Sequence, residues 1–301
     1  MGGAPKMRRR SEEAPQTAAC GGAGAEASCC RPMSTRFDRD TAVRPLAPSV
    51  AGPGVYEGHI DRGRWGEKGP NGGYVAAVLL RVLAAEVAPD RAPRSLTVHY
   101  TAPPAEGPVR IDTRVERVGR SLTSVSGRMV QGDRLVALAL AAFSVGRRAE
   151  GFDHAVMPEA PPPEACASFP GAIPMHARYA YRWAVGSPPG SGGSEALCGG
   201  WIRLAEPRDL DAPLVAAYTD AWPPACLSWA PDRESIGPVP TVDLTIHFRS
   251  ELPLAGATPE DWCLAVFRAR LAAGGFVEED GEVWSQGGVL LAQSRQLAVI
   301  G

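Results

Sequence analysis

Along VRIDTRVERV, residues 109–118, Val109, Ile111, Thr113 and Val115 alternate with Arg110, Asp112, Arg114 and Glu116. A period of two puts the apolar members on one face of a strand and leaves the other face wet. The same reading gives strands at GVYEGHI, SLTSVSGRMV and RLVALALAAFS, the last two joined by a hairpin turn at Gln131-Gly132-Asp133. One stretch abandons the period. GGYVAAVLLRVLAAEVA, residues 72–88, is apolar almost throughout, interrupted by Arg81 and Glu86. It is short for a membrane span. It predicts a buried helix over 73–88, entered through the glycine-rich turn GPNGGY.

The second half of the chain retells the first. YAYRWAV reads as a strand and SPPGSGGSE as a loop. A second helix is predicted from an N-cap at Asp211, through Pro213 in the first turn, to Trp222, where Pro223-Pro224 stops it. DLTIHFRS, WCLAVFRARL, GEVWSQ and VLLAQSRQLAVI follow as strands. Two phrases are said twice and in the same order: SLTVHY (95–100) with DLTIHF (243–248), and QGDRLVALALAAF (131–143) with QGGVLLAQSRQLA (286–298). Two repeats of strand, helix and four antiparallel strands are implied. Runs of strands without intervening helices make this an α+β fold. One long buried helix wrapped by a curved antiparallel sheet is the hotdog arrangement, so the prediction is a double hotdog.

The boundaries follow from composition. Residues 1–32 lack periodicity and are read as a disordered leader, or as an over-called start before Met33. Residues 33–146 form the N-terminal repeat. Residues 147–177 carry Pro158, Pro161, Pro162, Pro163, Pro170 and Pro174, a stiff linker unable to enter a central strand. Residues 178–301 form the C-terminal repeat.

Charge narrows the function classes. Net charge is −2, with 21% charged and 45% hydrophobic residues. No polybasic stripe argues for nucleic acid. Seven cysteines, an odd number without a C-x-x-C, suggest neither a zinc site nor a redox motif and point to a reducing cytoplasm. No apolar segment resembling a signal peptide follows the first basic residues. No serine nucleophile elbow or H-E-x-x-H is present.

Departures from the repeat mark where function was added. Gln293 and Gln296 stand where the first copy has Leu138 and Ala141, and Asp243 stands where it has Ser95. A polar pair in a core strand needs partners. His99 and His247 occur in both copies, which favours a shared structural role.

The pieces GPNGGYVAAVL, LTVHYTAPPAEG, GRSLTSVSGRMVQGDRLVALALAAFS, TVDLTIHF and GGVLLAQSRQLAV resemble the thioesterase II (TesB-like) family of double-hotdog acyl-CoA thioesterases. The resemblance covers about residues 54–146 and 178–301. It implies hydrolysis of acyl-CoA to free acid and CoA by directly activated water, with no cofactor and no metal. In that family an Asp at the head of the second-repeat strand and a Gln near the C-terminus bind and activate the water. Asp243 and Gln296 are taken as those positions. The family adds a Ser or Thr on the intervening strand. Here that strand reads CLAVFRARLAAGG, with Arg268 and Arg270 and no hydroxyl, so Thr245 is the substitute candidate, on the same side of its strand as Asp243. Gly72 and Gly73, beside Asn71 at a helix N-terminus, are candidate backbone donors to the substrate carbonyl.

Two rivals remain. A degenerate hotdog would bind acyl groups or serve as an assembly module without turnover. An enoyl-CoA hydratase ranks below it, because no D-x-N-P-x-H-like loop is present. Open sheet edges suggest a homo-oligomer, a dimer of double hotdogs by fold analogy.

Overall fold

The computed structural model describes residue 1 and residues 34–47, 53–147, 150–169, 171 and 173–301. The leader expected at 1–32 lies outside the described residues, residue 1 excepted. The first half runs α1 (Arg36–Asp40), β1 (Val43–Ala47), β2 (Gly54–Ile60), α2 (Gly72–Ala85), β3 (Ala92–Tyr100), β4 (Gly107–Val118), β5 (Leu122–Gln131) and β6 (Arg134–Ser144). The second runs β7 (Ala167–Ser168), β8 (Tyr179–Gly186), β9 (Ala196–Leu204), α3 (Ala212–Tyr218), α4 (Cys226–Trp229), β10 (Thr241–Phe248), β11 (Cys263–Ala269), β12 (Ala272–Ala273), β13 (Phe276–Ser285) and β14 (Leu290–Val299).

The strands join in one antiparallel sheet, ordered β1-β2-β4-β5-β6-β3-β10-β14-β13-β11-β9-β8-β7, with β12 paired to β13. The order reads alike from its centre outward. β3-β6-β5-β4-β2 on one side matches β10-β14-β13-β11-β9 on the other, so the fold is a double hotdog. The seam is formed by the repeated phrases themselves. Leu244 pairs with Val98, Thr245 with Thr97 and Ile246 with Leu96. Thr97 and Thr245 sit at the middle, their hydroxyls hydrogen-bonded at 3.1 Å. Leu96, Val98, Leu244 and Ile246 are fully buried on the inner face.

The strands β1, β7, β9 and β12 escaped the sequence reading, and β9 is the one inside the sheet's main path. β9 carries Gly199-Gly200, which reads as a breaker. Both have φ near +155°, and a Cβ there would sit 2.3 Å from the Ala265 carbonyl oxygen or 2.0 Å from that of Arg182. The glycines let the backbones of β8 and β11 close on β9.

Helix α2 lies against β3, β4, β5 and β6, and its residues from Gly73 to Leu83 are buried except Arg81. Asn71 caps it, the side-chain oxygen accepting from the Tyr74 N–H at 2.9 Å. It ends at Ala85, three residues before the predicted end. Glu86 is drawn aside to accept from the Thr113 hydroxyl at 2.7 Å, and Pro89 disfavours helical backbone at the residue before it. Asp211 caps α3 as expected, accepting from the Leu214 N–H at 2.9 Å. That helix also stops early, at Tyr218. Residues 219–222 unwind into a turn that meets the N-terminus of α2. Among the described residues, no helix is long and apolar enough to cross a membrane.

Candidate active site

The α2 N-terminus and the turn after α3 meet at Asp220. Its Oδ2 accepts from the Gly73 N–H at 3.0 Å and from Asn71 Nδ2 at 2.8 Å, and Asn71 Nδ2 also donates to the Asp220 carbonyl. This approach needs glycine. A Cβ on Gly73 would lie 2.7 Å from the Ala217 carbonyl oxygen. Tyr181 OH donates to the Ala221 carbonyl at 2.9 Å and Tyr100 OH to the Gly72 carbonyl at 2.7 Å, so both partners of the contact are tied to strands. Burial pushes the Asp220 carboxyl up to about 6. The N–H groups of Gly73 and Gly72 and the amides of Gln296 and Asn71 pull the other way.

Gln296 reaches the same place from β14. It is 7% exposed, its Oε1 accepts from Thr241 Oγ1 at 3.0 Å, and its Nε2 donates to Glu279 Oε1 at 2.7 Å. A bulge explains why Thr241 faces inward. Thr241 pairs with Ala298 and Asp243 with Leu297, so two steps on β10 match one on β14. Without the extra residue, Thr241 would share a face with Asp243 and Thr245. With it, Thr241 joins the inward side, with Leu244 and Gln296.

The bulge corrects the sequence reading of β10. Gln296, Gly72 and Gly73 come together with Asp220. Asp243 and Thr245 do not: they lie on the opposite face from buried Leu244 and Ile246. Asp243 is the cross-strand neighbour of His99, and Thr245 belongs to the seam. Gly73 also differs from its expected part, because its N–H already serves Asp220. Arg268 and Arg270 are exposed and ion-paired with Glu195 and Asp280. Asp220 and Thr241 were missed. The signal for Asp220 was present: it is the carboxylate in APLVAAYTDAW, a helix the repeat requires to be apolar.

Asp220, Thr241, Gln296 and Gly72 line a cavity of about 440 Å³. Much of the remaining wall is apolar, including Val75, Val136, Met175, Trp222 and Leu227. Trp222 is held edge-on by Tyr181 and Trp183, each at 5.3 Å between ring centres. Lys68 and Arg233 also line the cavity, the latter paired with Glu67.

Known proteins share this chain's domains and fold. Residues 61–144 match the acyl-CoA thioesterase N-terminal domain and residues 153–300 the acyl-CoA thioesterase C-terminal domain. The chain belongs to the acyl-CoA thioesterase family. A hotdog-fold protein of unknown function from Alicyclobacillus acidocaldarius is 30% identical, with a TM-score of 0.74 over 88% of this chain and 97% of that one. A candidate thioesterase II from Thermobifida fusca YX is 27% identical, with a TM-score of 0.76 over 90% and 98%. The acyl-CoA thioesterase II TesB2 of Mycobacterium marinum shares the fold at 19% identity, with a TM-score of 0.70 over 88% and 98%. No match is found among curated proteins.

Proposed function

We propose that this protein hydrolyses acyl-CoA thioesters with water activated by Asp220. The observation that carries the reading is the convergence of Asp220, Thr241 and Gln296 on one wall of an apolar cavity. A thioester is already activated, so water needs a base and an orientation rather than a covalent nucleophile. Asp220 is the base. Thr241 donates its proton to Gln296 Oε1, which leaves its oxygen free to accept a hydrogen bond from the same water. One proton of the water then points at Asp220 and the other at Thr241, and a lone pair faces the thioester carbon. Gln296 positions the water through Thr241. The N–H groups of Gly72 and Gly73 hold the base. As charge moves from the carboxylate to the carbonyl oxygen, the same helix N-terminus is available to stabilise it.

The cavity suits the substrate class. Its apolar wall accommodates an acyl chain, and Lys68 and Arg233 offer positive charge to a phosphorylated carrier. The test is thiol release from short-, medium- and long-chain acyl-CoAs. Turnover of one class is expected. A folded protein that binds acyl-CoA but releases no thiol from any of them would establish the binding-module reading instead.

A further inference from the structure

Glu279 is a second inward carboxylate that the proposed reaction does not use. It lies on β13 directly opposite Gln296, and each residue is 7% exposed. Its Oε1 accepts from Gln296 Nε2 at 2.7 Å, and its Oε2 accepts from the Ala225 N–H at 2.5 Å, just before α4. Both oxygens are acceptors, the part an ionised carboxylate plays.

The first repeat shows what this pair replaces. There the position of Gln296 is Ala141, whose neighbour across β5 and β6 is Val125. Both are buried and apolar. In the second repeat the two positions became polar together. A glutamine amide is nearly symmetric in shape, and a half-turn exchanges its oxygen and nitrogen. The Thr241 hydroxyl donates or accepts, so it cannot choose between the two orientations. A carboxylate accepts only, so it can.

We propose that Glu279 is a positioning residue for the site: its buried carboxylate fixes the Gln296 amide with nitrogen turned to Glu279 and oxygen turned toward Thr241. The inference rests on the thioesterase reading of Asp220, Thr241 and Gln296. Fixed in this way, Gln296 must receive the Thr241 proton, and Thr241 must face the water as an acceptor. The flipped amide would aim its oxygen at Glu279 and reverse the polarity of Thr241.

The arrangement depends on pH. Burial pushes Glu279 up to about 7; the Ala225 N–H and Gln296 oppose this, while Asp220 and Glu278 add to it. Asp220, from the turn after α3, sits lower, at about 6. The Cys198 and Cys226 thiols, from β9 and α4, are also pushed up, by burial and then by the Glu279 charge. Glu278 and Asp280 face the other side of β13, where Arg295 pairs with both and Arg270 with Asp280. As pH rises the two carboxyls lose their protons as an interacting pair, the second against the charge left by the first.

The experiment compares wild type with Glu279→Gln, a change that keeps size and shape. In wild type, kcat/KM for an acyl-CoA should rise in two steps, near pH 6 and near pH 7. The variant should show one step near 6 and a plateau about tenfold lower, as loss of a hydrogen bond to a charged group implies. KM should hold. NMR of the Gln296 side-chain amide gives a readout independent of turnover. Its signals should titrate with a midpoint near 7 in wild type and lose that midpoint in the variant. Unchanged kcat and profile in the variant, or no midpoint near 7 at the wild-type amide, overturns the proposal. If wild type hydrolyses no acyl-CoA, the thioesterase reading fails, and the amide titration still decides whether Glu279 holds Gln296.

Discussion

Replacing Asp220 with Asn should trade activity for stability, and pH should separate the two effects. Asparagine keeps the size of the side chain and can still accept from the Gly73 N–H, but it takes no proton from water. Thiol release should fall about a hundredfold to ten-thousandfold, the range of a general base. Protonation of Asp220 should itself lower wild-type activity about tenfold at pH 5, on top of the step that belongs to Glu279, because only the ionised form is a base. Stability runs the other way. Burial raises the folded carboxyl from 3.8 to about 6, so its favourable contribution is complete below 3.8 and is lost as pH climbs through 6. At 1.36 kcal/mol per pH unit this shift corresponds to about 3 kcal/mol, and the opening of Asp220 onto the cavity reduces it to about 2. Asn carries no such titration. Urea unfolding at pH 4 and pH 8 should show the variant gaining about 2 kcal/mol on wild type between the two. Asp243→Asn, on the other face of β10, should keep wild-type turnover. If Asp243→Asn loses activity and Asp220→Asn retains it, the placement of the base is refuted.

Three further outcomes follow from contacts already described. Thr241→Val should lower kcat about tenfold with little change in KM, because the water loses one of its two orienting partners; steady-state kinetics checks this. Gly73→Ala should destabilise the fold by about 1–3 kcal/mol in urea titrations, since the added methyl meets the Ala217 carbonyl oxygen at 2.7 Å. Thr245→Val should cost about 1 kcal/mol of stability through the lost seam hydrogen bond to Thr97 and leave kcat unchanged.

The large features of the fold were legible because they rest on periodicity. Alternation gave the strands, the apolar run gave α2, and the repeated phrase marked the two strands that pair at the seam. The site was legible only in part, because it depends on local departures from periodicity. Gln296 stood out as an amide in a core strand, and the structure sets it among Thr241, Glu279 and Asp220. Thr241 was hidden by the bulge at 241–243, which changes which residues of β10 face inward and which a strict period of two cannot show. Asp220 carried a signal as a carboxylate in an apolar helix, but its contact with the α2 N-terminus is long-range and no local pattern shows it. Glu279 was hidden because the predicted strand GEVWSQ starts at Gly281, whereas β13 begins at Phe276.

The seam makes the two halves of one chain into the equivalents of two subunits. In a symmetric pair of identical chains, any residue placed in one site would appear in the other. Fusion removes that constraint. Val125 and Ala141 keep one half apolar where Glu279 and Gln296 make the other polar. The first half supplies the helix end, at Asn71 and Gly73, and the second supplies Asp220, Thr241 and Gln296. The stoichiometry is therefore one such centre per polypeptide, not two, and neither half alone contains a complete one.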